Sequence, residues 1–185
     1  MSTPALFLDR DGVINVDHGY VHRIEDFEFI PGIFELCRAA RALDHKLVVV
    51  TNQAGIARGL YAEPDFHALT AWMKQRFADE GAPLDGVYFC PTHPTAGIGR
   101  YRVESEFRKP GPGMLLQAVA DLDIDVSHST IVGDKTSDMQ AGAAAGVSQL
   151  LLLCRAAAEQ QEHWPKGTRR IGSVFDAAAC LKVCR

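Results

Sequence analysis

Apolar residues follow two alternating rhythms along this chain. Short unbroken runs at about 5–8, 46–51, 86–90, 129–132 and 149–153 have the length of strands. Between them the spacing changes to every three or four residues, as in Ile33, Leu36, Cys37, Ala40 and Leu43, and again in Phe66, Leu69, Met73 and Phe77. A run apolar throughout suits a strand buried on both faces of a parallel sheet, whereas the longer period suits a helix with one face inward. Pro31 fits the start of the first helix and Gly81 the end of the second. The pattern predicts further helices over 112–122 and from Thr136 through Ala141–Ala145, then a short strand near 169–171 and a last helix across 173–182. Strands alternating with helices in this way predict an α/β fold, a three-layer doubly wound parallel sheet with helices on both faces.

Composition narrows the function classes. With 185 residues, 47% of them hydrophobic, the chain can bury one sizeable core, and a single domain spanning 1–185 is expected. A net charge of -4 argues against a surface for nucleic acid, so any phosphate affinity must be local. The N-terminus has no signal-like stretch and no window approaches eighteen apolar residues, which predicts a soluble cytoplasmic protein without membrane contact. Nothing points to an oligomer, and a monomer is expected. The five cysteines, Cys37, Cys90, Cys154, Cys180 and Cys184, are odd in number and scattered, so they read as reduced packing thiols.

The strand ends carry the candidate chemistry. Asp9 and Asp11 lie two residues apart where the run Ala5 to Leu8 gives way to Gly12. At the C-terminal end of a parallel strand, one carboxylate can attack phosphorus while the other moves protons. Thr51-Asn52-Gln53-Ala54 follows the second strand, where a hydroxyl and amides can hold phosphate oxygens; the plainer alternative is turn hydrogen bonds. Lys109 lies in the segment Glu106 to Pro112, either as part of a solvated loop or as a cation that neutralises a nucleophile and a transferring phosphoryl group. Asp134 follows the fourth strand and Asp138 comes one helical turn later. Asp9 and Asp134 suit Mg²⁺, a hard cation that prefers carboxylate oxygens, although Asp134 or Thr136 could instead cap a helix.

Asp9 and Asp11, then Thr51, then Lys109, then Asp134 and Asp138 occur in the order of the haloacid dehalogenase superfamily, which this chain resembles from about residue 5 to 153. The resemblance implies that Asp9 is the nucleophile and that Asp11 protonates the leaving alkoxide and then activates water. It implies that Thr51 and Lys109 bind the phosphoryl oxygens. Mg²⁺ is then held by Asp9, the backbone carbonyl of Asp11 and Asp134, with Asp138 as an outer partner.

The 41 residues between Asp9 and Thr51 and the 18 between Cys90 and Lys109 leave no room for a large cap domain, so loops 12–27 and 91–108 are expected to shape the mouth. Within the capless group, Asp9 to Asn15, Thr51 to Gly59, Cys90 to Pro94, Phe107 to Pro110 and Val132 to Lys135 look most like the heptose bisphosphate phosphatase family, a relative of the histidinol-phosphatase family. That likeness implies a sugar phosphate substrate, D-glycero-D-manno-heptose 1,7-bisphosphate, losing its 7-phosphate; the β anomer fits a lipopolysaccharide precursor route and the α anomer a surface-layer glycan route. It also implies that Asp17, His18, Gly19, Tyr20, Thr51, Asn52, Gln53 and Ala54 line the substrate, with Arg108, Lys109 and Lys135 adding contacts. A guanidinium at 108 suits the phosphate that does not react.

Histidinol-phosphate phosphatase activity is the nearest rival, a DNA 3′-phosphatase is disfavoured by the acidic balance, and a phosphoacceptor signalling domain would not need Asp11. The chain departs from its family at the structural zinc. The family's Cys-x-His pair and later Cys-x-Cys pair read here as Cys90 with Thr92, and Ser105 with Phe107, while His93 is out of phase. Four-coordinate zinc needs a full set of N and S donors, so no zinc is expected. Metal analysis of the purified protein should find none; one tightly held zinc per chain would overturn this reading.

Overall fold

A computed structural model of the chain describes residues 2–154 and 164–181. Six strands form one parallel sheet: β1 (Ala5–Leu8), β2 (Lys46–Asn52), β3 (Gly86–Cys90), β4 (Thr130–Gly133), β5 (Gln149–Leu153) and β6 (Thr168–Ile171). Their order in space is β3-β2-β1-β4-β5-β6. β1 therefore lies between β2 and β4, with Leu8 opposite Val49 on one side and Val132 on the other. The chain builds outward from β1 in one direction, then returns to build in the other. This reversal opens a crevice at the C-terminal ends of β1 and β4, where doubly wound sheets bind ligands.

Alternation along the buried strands sends side chains to two apolar layers. Leu6, Leu8, Leu47, Val49, Val132 and Leu151 meet α1 (Ile33–Ala42), α3 (Glu63–Asp79) and α6 (Val174–Ala178) through Leu36, Cys37, Met73, Phe77 and Val174. On the other side Ala5, Phe7, Val48, Val50 and Ile131 meet α4 (Gly113–Leu122) and α5 (Thr136–Ala145) through Met114, Leu115, Met139 and Ala141. The single-turn α2 (Ala54–Ala57) follows β2 directly. The three-layer fold expected from the sequence is the one observed. Gly81 closes α3 at a left-handed φ of 74°, as its position predicted.

Several boundaries moved. β4 starts at Thr130 because Ser129 instead turns its hydroxyl to accept the Ala5 N–H at 2.9 Å. α6 is shorter than the expected 173–182. Its last turn tightens through bonds from Cys180 N to Ala177 O and from Leu181 N to Ala178 O, and residue 182 lies outside the described residues. The segment after β1 is more ordered than a plain loop, with Val16 N bonded to Glu28 O and Ile30 N to Ile14 O. Cys37, Cys90, Cys154 and Cys180 are free thiols, and Cys184 lies outside the described residues. Among the described residues no helix is long and apolar enough to cross a membrane.

Phe77 is fully buried, with ring centroids 5.1 Å from Phe34 and 6.0 Å from Phe29. Phe77→Ala should cost about 3–5 kcal/mol of stability, measured by chemical denaturation, because the packed layer cannot close over the lost ring.

Candidate active site

Asp9 leaves β1 with its backbone N–H bonded to Val132 O at 3.0 Å, so the pairing with β4 continues one residue beyond the strand and fixes where the carboxylate emerges. The Lys109 ammonium lies 3.0 Å from Asp9 Oδ1 and 2.6 Å from Asp138 Oδ1, and donates to Val50 O at 2.8 Å. All three side chains are almost wholly buried. A lysine placed so deep must be held by its backbone as well. Asn52, at the end of β2, supplies that hold, accepting from Lys109 N and donating to Lys109 O, each at 3.0 Å. Asp138, in the first turn of α5, accepts the Lys135 N–H at 3.0 Å. It therefore joins the start of α5 to the lysine, and Asp138 rather than Asp134 serves the helix terminus.

Asp134 completes an acidic cluster. One oxygen each from Asp9, Asp134 and Asp138 lie within 4.8 Å of one another, the only such group of three among the described residues. Asp134 Oδ1 is buried without a hydrogen-bond partner. Gly12, at φ 96°, allows the approach: a Cβ there would stand 2.1 Å from Asp134 Oδ2. Burial pushes the Asp134 carboxyl up to about 7, and the Asp9 and Asp138 charges add to the effect. Burial likewise raises Asp9, with Asp138 adding to the rise against the pull of Lys109. Burial opposes the Lys109 charge, but Asp138 and Asp9 outweigh it and hold the ammonium above its usual range. Three carboxylates thus face one buried ammonium, and an unpartnered oxygen fits a hard divalent cation such as Mg²⁺.

A cavity of about 480 Å³ opens over this cluster. Asp9, Asp11, Lys109 and Asp138 line it together with Asp17, Gly19, Tyr20, Asn52, Gln53, Ala54, Arg108 and Lys135, so most of the residues singled out from the sequence do converge. Lys135 Nζ lies 3.5 Å from Asp17 Oδ2, which joins the loop after β1 to the turn after β4. Arg108 donates from Nη1 to Thr92 O at 3.1 Å.

The chain is similar to proteins of known name. A family model described as HAD-hydrolase-like matches residues 106–174. The D-glycero-α-D-manno-heptose-1,7-bisphosphate 7-phosphatase of Burkholderia mallei is 64% identical over 83% of this chain and 82% of its own length. The chain belongs to the heptose bisphosphate phosphatase family of the haloacid dehalogenase superfamily. The D-glycero-β-D-manno-heptose-1,7-bisphosphate 7-phosphatase of Salmonella typhi is 50% identical over 98% of this chain and 96% of its own length. The crystal structure of D,D-heptose 1,7-bisphosphate phosphatase from B. bronchiseptica, complexed with magnesium and phosphate, superposes with a TM-score of 0.79 at 28% identity, covering 96% of this chain and 97% of that one.

Against this family frame, some residues hold positions their sequence context did not suggest. His18 does not line the cavity. Asp17 Oδ1 accepts the Gly19 N–H at 3.0 Å, and within that turn the His18 ring points to Glu28, 3.2 Å away in solvent. Asn52 and Gln53 line the cavity, but their amides already bind protein: Asn52 the Lys109 backbone, and Gln53 both Thr51 Oγ1 at 2.8 Å and Asp11 Oδ2 at 3.2 Å. Arg10, Asn15 and Tyr61 went unnoticed in the sequence, although Arg10 and Asn15 both contact Asp11. An arginine between two functional acids was the only available signal; Tyr61 offered none.

Cys90 Sγ lies 3.3 Å from Thr92 Oγ1, and Ser105 Oγ accepts the Phe107 N–H at 3.1 Å. The loop has other ties: His93 Nδ1 accepts the Ala96 N–H at 3.1 Å, Ile98 N bonds to Ala57 O at 2.9 Å, and Tyr101 Oη donates to Glu63 Oε1 at 2.6 Å.

Because folding raises the Asp134 pKa, the native state binds more protons than the unfolded chain between about pH 4 and pH 7, so without a cation stability falls as pH rises through that window. Mg²⁺ should reverse the loss. The rise in Tm on adding Mg²⁺ to chelator-treated protein should be larger at pH 8 than at pH 5 by at least about 3 °C.

Proposed function

We propose that this chain is a cytoplasmic, Mg²⁺-dependent phosphatase that removes the 7-phosphate of D-glycero-D-manno-heptose 1,7-bisphosphate through an aspartyl-phosphate. One observation carries this reading: Lys109 Nζ lies 3.0 Å from Asp9 Oδ1, inside an acidic cluster that lacks a cation's worth of charge, in a chain 64% identical to a named heptose bisphosphate 7-phosphatase.

In the first half-reaction an Asp9 carboxylate oxygen attacks phosphorus, the bond from phosphorus to the sugar's O7 breaks, and Asp11 delivers its proton to that oxygen. In the second, Asp11 takes a proton from water, the water oxygen attacks the phosphorus of the aspartyl-phosphate, and inorganic phosphate leaves with Asp9 regenerated. Lys109 neutralises Asp9 as the phosphoryl group approaches, and Thr51 binds a non-bridging oxygen. Asp9, Asp134 and the Asp11 carbonyl would hold Mg²⁺, which when bound neutralises charge on the transferring group. Asp138 keeps the lysine in place.

Arg108 and Lys135, lining the same cavity, supply cations for the phosphate at C1, with Asp17, Gly19 and Tyr20 on the sugar. Relatives carry both anomers in their names, α in Burkholderia mallei and β in Vibrio cholerae and Salmonella typhi. The β anomer remains the reading for a lipopolysaccharide precursor route.

Asp9→Asn should lower kcat by more than about 10⁴-fold while leaving the fold intact by circular dichroism. Steady-state kcat/KM compared for the two heptose bisphosphate anomers and histidinol phosphate should favour a heptose bisphosphate by at least about tenfold, the worth of one well-placed ion pair to the second phosphate. A preference for histidinol phosphate would assign the chain to histidine biosynthesis instead.

A further inference from the structure

Asp11 is held more firmly than any proton carrier needs for folding alone. Arg10 Nη2 stands 2.9 Å from both of its carboxylate oxygens, Arg10 Nε is 3.3 Å from Oδ1, and Asn15 Nδ2 donates to Oδ1 at 3.0 Å. The Arg10 side chain is buried although it carries a charge. Besides Asp11, its partners are the Val21 carbonyl at 2.6 Å and the Phe66 ring, whose centroid is 5.9 Å from its guanidinium carbon. It therefore clamps Asp11 and the substrate-facing loop at once.

The second half of the clamp comes from beyond β2. Gln53 Nε2 reaches Asp11 Oδ2 and Thr51 Oγ1, and Tyr61 Oη bonds to Gln53 Oε1. The amide turns its NH₂ to Asp11 and Thr51 and its oxygen to Tyr61, an oxygen that can only accept, so the phenol is the donor. A glutamine amide rotates easily about its last torsion, and a fixed phenol is what selects one of its two faces. Tyr61 is itself fixed. Its ring stacks on His22 at 4.9 Å and 4°, and it fills the space a side chain at Gly55 would need, 2.1 Å from the position of that Cβ. Burial raises its hydroxyl to about 12, so it stays protonated and donates.

We propose that Arg10 and the Tyr61–Gln53 pair are positioning residues that hold the Asp11 carboxylate where it exchanges its proton with the leaving oxygen and with water. The planar fork of Arg10 fixes the carboxylate plane, which a lysine cannot do. A displacement of about 1 Å at such a group is enough to cost on the order of 100-fold in rate. The proposal rests on the reading of Asp11 as the proton carrier, and its test separates the two.

The test measures kcat/KM of Arg10→Lys, Tyr61→Phe and Asp11→Asn on heptose bisphosphate and on p-nitrophenyl phosphate, whose phenolate leaves without needing a proton. Arg10→Lys should lose about 100-fold on the sugar phosphate, and the ratio of aryl to sugar kcat/KM should rise by at least about 30-fold. Tyr61→Phe keeps the ring on His22 and removes one oxygen; its ratio should rise about fivefold, and it tests the clamp even where Arg10→Lys does not fold. A parallel fall on both substrates, or no fall, in both Arg10→Lys and Tyr61→Phe overturns the clamp if Asp11→Asn shows the selective loss. If Asp11→Asn itself falls equally on both substrates, the proton-carrier reading fails, and the clamp with it.

Discussion

The burial of Lys109 among carboxylates is the constraint on which the site depends. An ammonium taken out of water needs opposite charge and hydrogen bonds close by, and it finds them in Asp9, Asp138 and the Val50 carbonyl. Each partner comes from a different element, so the lysine joins the ends of β1 and β2 to the start of α5. Asn52 secures its backbone from β2. The compensation is incomplete: with Asp134 included, the cluster carries more negative charge than one lysine balances, and burial first, then the repulsion among the acids, raises the Asp9 and Asp134 carboxyls. That surplus is what fits the cluster to a divalent cation.

Around that rigid centre, the two segments that shape the mouth are fastened by different means. The segment after β1 is bound through Arg10 to Val21, through Tyr61 to His22 and through Lys135 to Asp17. The segment after β3 is fastened by a histidine-centred turn, a backbone bond to α2 and a tyrosine bond to α3. Asp9 and Asp134 therefore sit directly after strands, which are stiff, while Asp17, Gly19, Tyr20 and Arg108 line the cavity from loops, which can vary without moving the acidic cluster.

Much of this was legible beforehand. Ala5–Leu8 is apolar at every position because β1 is covered on both faces, and Phe66 to Phe77 keeps helical spacing because one face of α3 packs on the sheet; both constraints are local and leave local signatures. Asp9 and Asp134 were legible as strand-end acids because each directly follows a short apolar run, β1 and β4. His18 was expected beside the substrate with its neighbours, but its ring lies against Glu28 and is not among the residues lining the cavity. Asn52 and Gln53 line the cavity as expected, and their hydrogen bonds to the Lys109 backbone and to Asp11 became visible only in the tertiary structure.

The sequence by itself determined the α/β class, the strand-end acids and the family, since each depends on residue type at a fixed spacing from its neighbours. The tertiary structure decided how those residues divide their work. Arg10, Asn15, Gln53 and Tyr61 converge on one carboxylate from positions up to 50 residues away. Convergence of that kind depends on the order β3-β2-β1-β4-β5-β6 rather than on any local pattern. A hydrogen bond is made by distance and direction in space, and neither is written in the spacing of residues along the chain.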